Sequence, residues 1–282
     1  MYQEHYKLKA EPFPLSSRGD NLYFHESFKR SMSYLLYAFH RGEGMVLITG
    51  MPGSGKSTLI EEIVAETSDN EMPVAVVDCA NLAGSDLLEL YLEQLGVVAA
   101  AGVSNARAVR DTLINIRQAK RPVLVLDDAH LLSEDDLAVV YMLCNLKHEG
   151  THLLQVVLAG QPNLREKLLS PGFEQFHQRL VATCNIQSLE MSETREYILH
   201  KLRSVGWTNN PGIAESVFGA VYRSSLGLPR WVDLICSRML LNAMADDRKF
   251  ISLDDICEVI RDLINEDLLP DQVRLSSQKQ VA

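Results

Sequence analysis

The amino-acid sequence predicts an α/β core with a parallel sheet, followed by a second domain made of helices. Apolar runs of strand length alternate with helical patterns through the first two thirds of the chain, and a glycine-rich loop separates the first run from the helix after it. From Ser192 onward only helical patterns remain. Alternation of this kind is typical of parallel strands covered by helices.

The predicted strands lie at 45–49, 73–78, 122–127, 153–159 and 181–186. The first four are almost continuously apolar rather than alternating, which indicates burial on both faces of the sheet. Helices are predicted at 193–204, 212–223, 228–245 and 253–268. Ser192 and Ser252 are candidate N-caps, and Pro229 suits a first helical turn.

These patterns predict four segments. A helix with an apolar stripe precedes the first strand, and with the residues before it we expect it to flank the site formed by the glycine-rich loop. Tyr23 and Phe24 either wall that site or simply pack. The predicted segments are an N-terminal segment and helix at 1–44, the α/β core at 45–190, the helical lid at 191–268 and a tail at 269–282.

The chain has 282 residues, of which 46% are apolar, and a formal net charge of −10. No apolar stretch approaches the roughly 18 to 20 residues of a membrane span, and the first residues lack a signal-peptide pattern, so we expect a cytoplasmic protein without a transmembrane segment. Five scattered cysteines without C-x-x-C spacing indicate reduced thiols rather than disulfides or a zinc site.

The charge pattern argues against a nucleic-acid partner. No segment forms a basic platform, and duplex binding needs clustered lysines and arginines to displace counterions from phosphates. Nucleic-acid binding stays open as an alternative, because a ring-shaped assembly could bind nucleic acid with a few cations that line its pore.

The glycine-rich loop is a complete G-x-x-x-x-G-K-[ST] sequence between a predicted strand and a predicted helix, which is typical of a phosphate loop. We expect its three glycines to take positive φ and to turn backbone N–H groups toward the phosphates of ATP. Lys56 would reach the β- and γ-phosphates, and the Ser57 hydroxyl would bind Mg²⁺. The predicted nucleotide-binding residues are Gly50, Met51, Pro52, Gly53, Ser54, Gly55, Lys56, Ser57 and Thr58.

Two carboxylates end the third predicted strand, about 75 residues after the phosphate loop, as in many P-loop proteins. Asp127 is the candidate Mg²⁺ ligand, acting through water or through Ser57. Asp128 is the candidate general base that accepts a proton from the attacking water.

Several segments together resemble AAA+ ATPases of the ExeA/GspA general secretion type. They are MYQEHYKLKAEPFPL, the phosphate loop, LVLDDAH, LLQVVLAGQPNLREKL, FEQFHQRLVATCNI and GLPRWVDLICSRMLL. Within that family the sequence is most similar to the subfamily found in exosortase and exopolysaccharide loci, the XrtA-associated ATPases. The resemblance implies a P-loop AAA+ fold, Mg·ATP hydrolysis and a ring, by analogy a hexamer.

The resemblance also implies three further catalytic residues. Gln161 matches the polar sensor that orients water near the γ-phosphate, although it is also an ordinary strand-end residue. Arg179 matches the arginine that reaches a neighbouring subunit's nucleotide; the alternative is a solvated arginine at a helix terminus. Arg230 matches the second sensor, and the alternative is a solvent-facing arginine or one bound to Asp233 at i+3.

Two residues depart from the family pattern Asp-Glu-Ala-Gln after the acidic strand. Asp128 replaces a glutamate and withdraws the carboxylate by one methylene, so hydrolysis is expected to be slow. His130 replaces a glutamine; it either senses the nucleotide or caps the strand end and contacts a neighbour, and we favour the second interpretation.

The leading functional hypothesis is an energy-coupling or assembly factor for envelope export, linked to exopolysaccharide and acting with a membrane-embedded or envelope partner at the inner membrane. A DNA-binding AAA+ regulator of transposition is the first alternative. A slowly hydrolysing nucleotide switch or scaffold is the second.

Overall fold

The computed structural model describes residues 2–14, 22–42, 44–68, 73–82, 86–117 and 122–269. The predicted tail therefore lies outside the described residues, apart from residue 269. The helices are α1 Tyr2–His5, α2 Glu26–Arg41, α3 Lys56–Ser68, α4 Leu87–Gln94, α5 Asn105–Arg117, α6 Glu134–Asn145, α7 Pro162–Leu169, α8 Glu174–His177, α9 Met191–Ser204, α10 Glu215–Ser225, α11 Pro229–Ala245 and α12 Leu253–Asn265. The strands are β1 Met45–Gly50, β2 Val74–Asp78, β3 Val123–Asp127, β4 Lys147–His148, β5 Thr151–His152, β6 Gln155–Gly160, β7 Leu180–Ile186, β8 Gly212–Ile213 and β9 Phe250–Ile251.

The main sheet has five strands in the order β2-β3-β6-β1-β7, and every neighbouring pair is parallel. This confirms the predicted parallel five-stranded core. Because the strands are parallel, their carboxyl ends meet at one edge of the sheet. Helices cover both faces, as the apolar strand sequences require.

Burial follows the prediction for three of the four apolar strands. Every residue of β1 and β6 is buried, as are the first four residues of β3. The prediction is wrong for β2, where Val74 and Val76 are only half buried. The reason is position, because β2 forms one edge of the sheet and has a strand on one side only.

Contacts divide the chain into two units, one formed by residues 1–25 with 187–282 and the other by residues 26–186. This division differs from the boundary drawn at residue 44. Helix α2 belongs to the sheet unit because its apolar stripe, with Phe28, Leu35 and Phe39, is buried in the core on one face of the sheet.

The residues before α2 belong instead to the helical unit. Tyr2, Tyr6 and Phe13 are buried in the same apolar core as helices α9 to α12. The Tyr6 hydroxyl donates to the Arg248 backbone oxygen at 3.1 Å. The described residues before α2 are therefore part of the core of the helical unit.

Two local features of the helical unit differ from the sequence prediction. The N-cap of α9 is Glu190, which forms a capping box with Glu193, so Ser192 lies inside the first turn. The segment is not purely helical, because β8 and β9 pair in parallel. Ser252 does cap α12, through a capping box with Asp255, and Pro229 does begin α11.

A buried ion pair lies between α9 and α11 of this unit. Lys201, only 1% exposed, donates to Asp233 at 3.0 Å, and the Tyr197 hydroxyl donates to the same carboxylate at 2.9 Å. Burial raises the pKa of Asp233 to about 6, against the opposing effect of Lys201. The Asp233 carboxylate therefore accepts hydrogen bonds from these two partners inside the unit.

Gly227, at the junction between α10 and α11, supports a prediction about stability. Its φ is +68°, and a Cβ placed there would lie 2.0 Å from the backbone oxygen of Leu189. Gly227→Ala should lower the free energy of unfolding by more than about 2 kcal/mol, since it combines left-handed strain with a backbone clash.

Gly206→Ala is the matched control for this prediction. Gly206 has φ +84°, but its nearest atoms belong to the flexible Lys9 side chain at 3.4 Å, so that variant meets the strain without the clash. Chemical denaturation of both variants, followed by circular dichroism, should give a clearly larger loss for Gly227→Ala. Equal losses would contradict the clash argument.

Candidate nucleotide site

The candidate site lies at the carboxyl edge of the sheet, where β3, β6 and β1 end side by side. The phosphate loop follows β1, the two aspartates end and follow β3, and Gln161 follows β6. Sheet topology thus brings together three groups of residues that are far apart in sequence.

The phosphate loop has the backbone that phosphate binding requires, with one correction to the sequence prediction. Gly53 and Gly55 have φ of +78° and +99°, but Gly50 does not take positive φ. Gly50 is needed for space, because a Cβ there would lie 2.5 Å from the Ser54 hydroxyl oxygen and 3.0 Å from the Ile186 backbone oxygen. The buried Ser54 hydroxyl has no hydrogen-bond partner within the described part of the chain.

Lys56 begins helix α3 and is only 7% exposed. Its Nζ donates to the backbone oxygens of Gly50 and Met51 at 3.0 and 3.2 Å, so the ammonium group is held against the loop. Burial lowers the pKa of Lys56, while the nearby carboxylates of Asp128 and Asp127 act in the opposite direction. The first N–H groups of α3 have no intrahelical acceptor, which makes this helix start suitable for phosphate oxygens.

Ser57 and Asp127 meet across the site. The Ser57 hydroxyl donates to Asp127 Oδ2 at 2.8 Å, and Asp127 Oδ1 accepts the Asp128 backbone N–H at 2.9 Å. Mg²⁺ prefers hard oxygen ligands and usually takes one or two from protein together with phosphate oxygens and water. A hydroxyl and a carboxylate held together beside a phosphate loop fit that chemistry, and these two residues would hold the ion.

The side chain of Asp128 is less constrained by hydrogen bonds than that of Asp127. Its backbone is left-handed, with φ of +49°, and its side chain is 46% exposed. Within the described residues its carboxylate accepts no hydrogen bond, and its Oδ1 lies 3.8 Å from His130 Nδ1. An exposed, unbound carboxylate at this edge can accept a proton from water.

Gln161 occupies the N-cap position of α7, yet its side chain does not cap the helix. The amide Nε2 instead lies 2.8 Å from His130 Nε2. His130 therefore contacts a neighbouring side chain, which is part of the interpretation that we favoured from the sequence. The sequence did not indicate that this neighbour is the predicted sensor.

The predicted catalytic Arg179 lies at the opposite edge of the sheet. It directly precedes β7, and its backbone oxygen accepts from the N–H of Met45, at the start of β1. Strand β1 has 6 residues, a length of about 20 Å at 3.3 Å per residue, so Arg179 cannot reach the phosphate loop of its own chain. Helix α8 ends at His177, two residues before the arginine rather than at it.

Two residues that sequence reasoning missed hold the Arg179 guanidinium. It donates to Asn145 Oδ1, and its other amine lies 3.3 Å from His152 Nε2. The His152 Nδ1 lies 3.0 Å from the Cys144 backbone oxygen, which leaves Nε2 as an acceptor for the arginine. No sequence signal marks this pair, since Asn145 ends α6 and His152 lies in the short β4–β5 hairpin.

Arg230, the predicted second sensor, lies in the first turn of α11 and is exposed. The alternative partner Asp233 is taken by Lys201 and Tyr197. Across the described residues Arg230 makes no side-chain hydrogen bond or ion pair, so its guanidinium is available to a ligand or to another chain. Tyr23 packs edge-on against Tyr197, with ring centres 5.8 Å apart, in agreement with the packing interpretation.

The fold agrees with comparisons to known proteins. A family model described as an AAA domain matches residues 40–168. Cdc6p from Pyrobaculum aerophilum superposes with a TM-score of 0.69 at 14% identity, over 87% of this chain and 69% of that chain. The RuvB Holliday junction branch migration motor from Thermotoga maritima superposes with a TM-score of 0.57 at 19% identity, over 90% of this chain and 74% of the other.

The chain has the fold of an AAA+ ATPase. The fold class predicted from the sequence, a P-loop AAA+ core with a helical domain after it, is confirmed. Drosophila ORC bound to DNA shares the same fold, with a TM-score of 0.69 at 18% identity, over 90% of this chain and 64% of the other.

A relative in sequence comes from a secretion system. General secretion pathway protein A from Aeromonas hydrophila is 31% identical over 249 residues, which cover 87% of this chain. The chain spans 45% of the length of that relative. Within the described residues, no helix combines the length and apolarity needed to cross a membrane.

Proposed function

We propose that the chain binds Mg·ATP between subunits of a ring, by family analogy a hexamer, and that ATP hydrolysis moves the helical domain. The observation that carries this proposal is the separation of Arg179 from Lys56, Ser57, Asp127 and Asp128. The four site residues lie at the carboxyl edge of the sheet, while Arg179 lies at the amino edge, fixed by Asn145. A second copy must supply the arginine to complete such a site.

The proposed reaction is transfer of the γ-phosphoryl group to water. The water oxygen forms the bond to phosphorus while the bond to the bridging oxygen breaks, and the electron pair of that bond stays on ADP. The water proton passes to Asp128, and Gln161 orients the water. Lys56 and Arg179 from the neighbour stabilise the charge on the phosphate oxygens. Ser57 and Asp127 would hold the Mg²⁺ ion, which would supply further positive charge there.

Arg230 is the remaining residue that the sequence resemblance assigns to catalysis. Its guanidinium is exposed and makes no hydrogen bond or ion pair within the described residues, so it can bind an anionic group of a ligand or of another chain.

For the biological task we propose an energy-coupling or assembly factor for export across the cell envelope. The support is the likeness to General secretion pathway protein A, whose name places that relative in secretion. The finer proposal, export of exopolysaccharide from an exosortase locus, rests on the sequence resemblance alone. A protein that works in the cytoplasm, attaches peripherally at the inner membrane and acts on an envelope partner fits this task.

Steady-state ATP hydrolysis across a range of protein concentrations tests the proposal, with Lys56→Ala as the inactive reference. Turnover per subunit should rise cooperatively with concentration, because the site needs two chains, and duplex DNA should leave it unchanged. Stimulation by DNA would favour the transposition regulator instead. A chain that binds ATP but does not turn it over at any concentration would be the nucleotide switch.

A further inference from the structure

We propose that His130 is a positioning residue that connects Gln161 to Asp128, so that the side chain orienting the water and the carboxylate accepting its proton are held by one imidazole ring. The proposal rests on the proposed function, because it assigns a role within the same hydrolytic site. It goes beyond that function because it assigns His130 a role in positioning the two residues that act on the water.

The first support is the contact between His130 and Gln161. The His130 side chain is only 9% exposed, and its Nε2 lies 2.8 Å from the Gln161 amide nitrogen. An amide nitrogen only donates, so the ring Nε2 accepts, and the proton of the neutral imidazole is on Nδ1. The contact fixes the rotation of the amide and leaves Gln161 Oε1, which has no partner within the described residues, as an acceptor for water.

The second support is the other ring nitrogen. His130 Nδ1 is buried and has no hydrogen-bond partner within the described part of the chain. It lies 3.8 Å from Asp128 Oδ1. A movement of about 1 Å by the half-exposed Asp128 side chain would bring this pair to hydrogen-bond distance. A buried N–H without an acceptor is costly, which favours that movement.

The third support is the close approach of the end of β6 to the turn that carries His130. Gly160 ends β6, and a Cβ on it would lie 3.0 Å from the His130 backbone nitrogen and 3.4 Å from the His130 Cβ. Glycine therefore permits this turn to lie directly against the end of the strand. The close approach places the backbone and Cβ of His130 beside the strand that Gln161 follows.

These observations have one chemical consequence. Once Asp128 has moved to accept from Nδ1, while Nε2 accepts from Gln161, the ring sets the distance between the water-orienting oxygen and the proton acceptor. Asp128 has a short side chain, so a fixed neighbour limits the positions that its carboxylate can occupy.

The kinetic test compares His130→Ala, His130→Gln, Gln161→Ala and the double variant His130→Ala/Gln161→Ala in the full chain. We expect kcat for ATP to fall about 10- to 100-fold in His130→Ala, with KM changed less than about threefold. Glutamine can accept and donate at once, so His130→Gln should recover most of kcat. The double variant should be no slower than the slower single variant, because both substitutions break one connection.

Other results would overturn the proposal. An unchanged kcat in His130→Ala would do so, as would strictly additive losses in the double variant. A His130→Gln variant as slow as His130→Ala would indicate a merely structural histidine, and thermal unfolding of both variants identifies a loss of folding.

A second measurement does not depend on turnover. Nitrogen-15 spectra of the histidine rings, with His130 assigned by its loss in His130→Gln, should show a proton on Nδ1 and none on Nε2. Addition of Mg·ADP with aluminium fluoride should shift the Nδ1 signal in the wild type and not in Asp128→Ala. A proton on Nε2 would refute the arrangement, whereas wild-type protein without turnover but with the expected spectra would overturn only the hydrolytic function.

Discussion

Arg179→Ala should reduce ATP turnover by about 10³-fold or more while leaving ATP binding nearly unchanged, since arginine fingers act mainly on the transition state. The physical reason is the position of Arg179 at the amino edge of the sheet, away from the phosphate loop of its own chain. Its contacts with Asn145 and His152 hold the guanidinium in place within its own chain. Arg110→Ala, at an exposed arginine on α5, is the control and should leave turnover unchanged.

Mixing two inactive variants distinguishes a contribution in trans from one in cis. Arg179→Ala retains its phosphate loop, and Lys56→Ala retains its arginine. In an equimolar random mixture about a quarter of the interfaces should pair an intact loop with an intact arginine, so turnover should reappear. A mixture as inactive as its components would rule out the arginine finger. Arg179 would then have a structural role, through its contact with His152 of the β4–β5 hairpin.

Sequence patterns predicted the sheet of this protein well because its strands are buried and nearly continuous in apolar residues. The same patterns indicated the phosphate loop and the acidic strand end, where chemistry restricts the residue types. β2 was the exception, since an apolar sequence does not reveal whether a strand lies inside the sheet or at its edge.

Sequence patterns did not show interactions between residues far apart in sequence. Tyr2 and Tyr6 pack into the core of helices that begin about 190 residues later, and no local periodicity carries that information. Likewise the neighbour of His130 is Gln161, 31 residues away, brought close because β3 and β6 are adjacent in the sheet. Only the topology shows which strand ends meet.

Lys56→Met should reduce ATP turnover by at least about 10²-fold and should also weaken ATP binding, because a buried cation facing phosphate oxygens stabilises the bound nucleotide as well as the transition state. Lys56 Nζ donates to the backbone oxygens of Gly50 and Met51, so the ammonium group lies inside the loop. Methionine has a similar length and preserves the packing of this 7% exposed side chain, which keeps the fold intact.

Lys29→Met, at an exposed lysine on α2 of the same unit, is the matched control and should bind and hydrolyse ATP like the wild type. Titration calorimetry with ATP and a turnover assay on the three proteins give the comparison. Equal affinity and equal turnover for Lys56→Met and Lys29→Met would show that the loop does not hold the phosphates. Loss of turnover with full retention of affinity would instead restrict Lys56 to the transition state, since an interaction made only there lowers kcat without weakening binding.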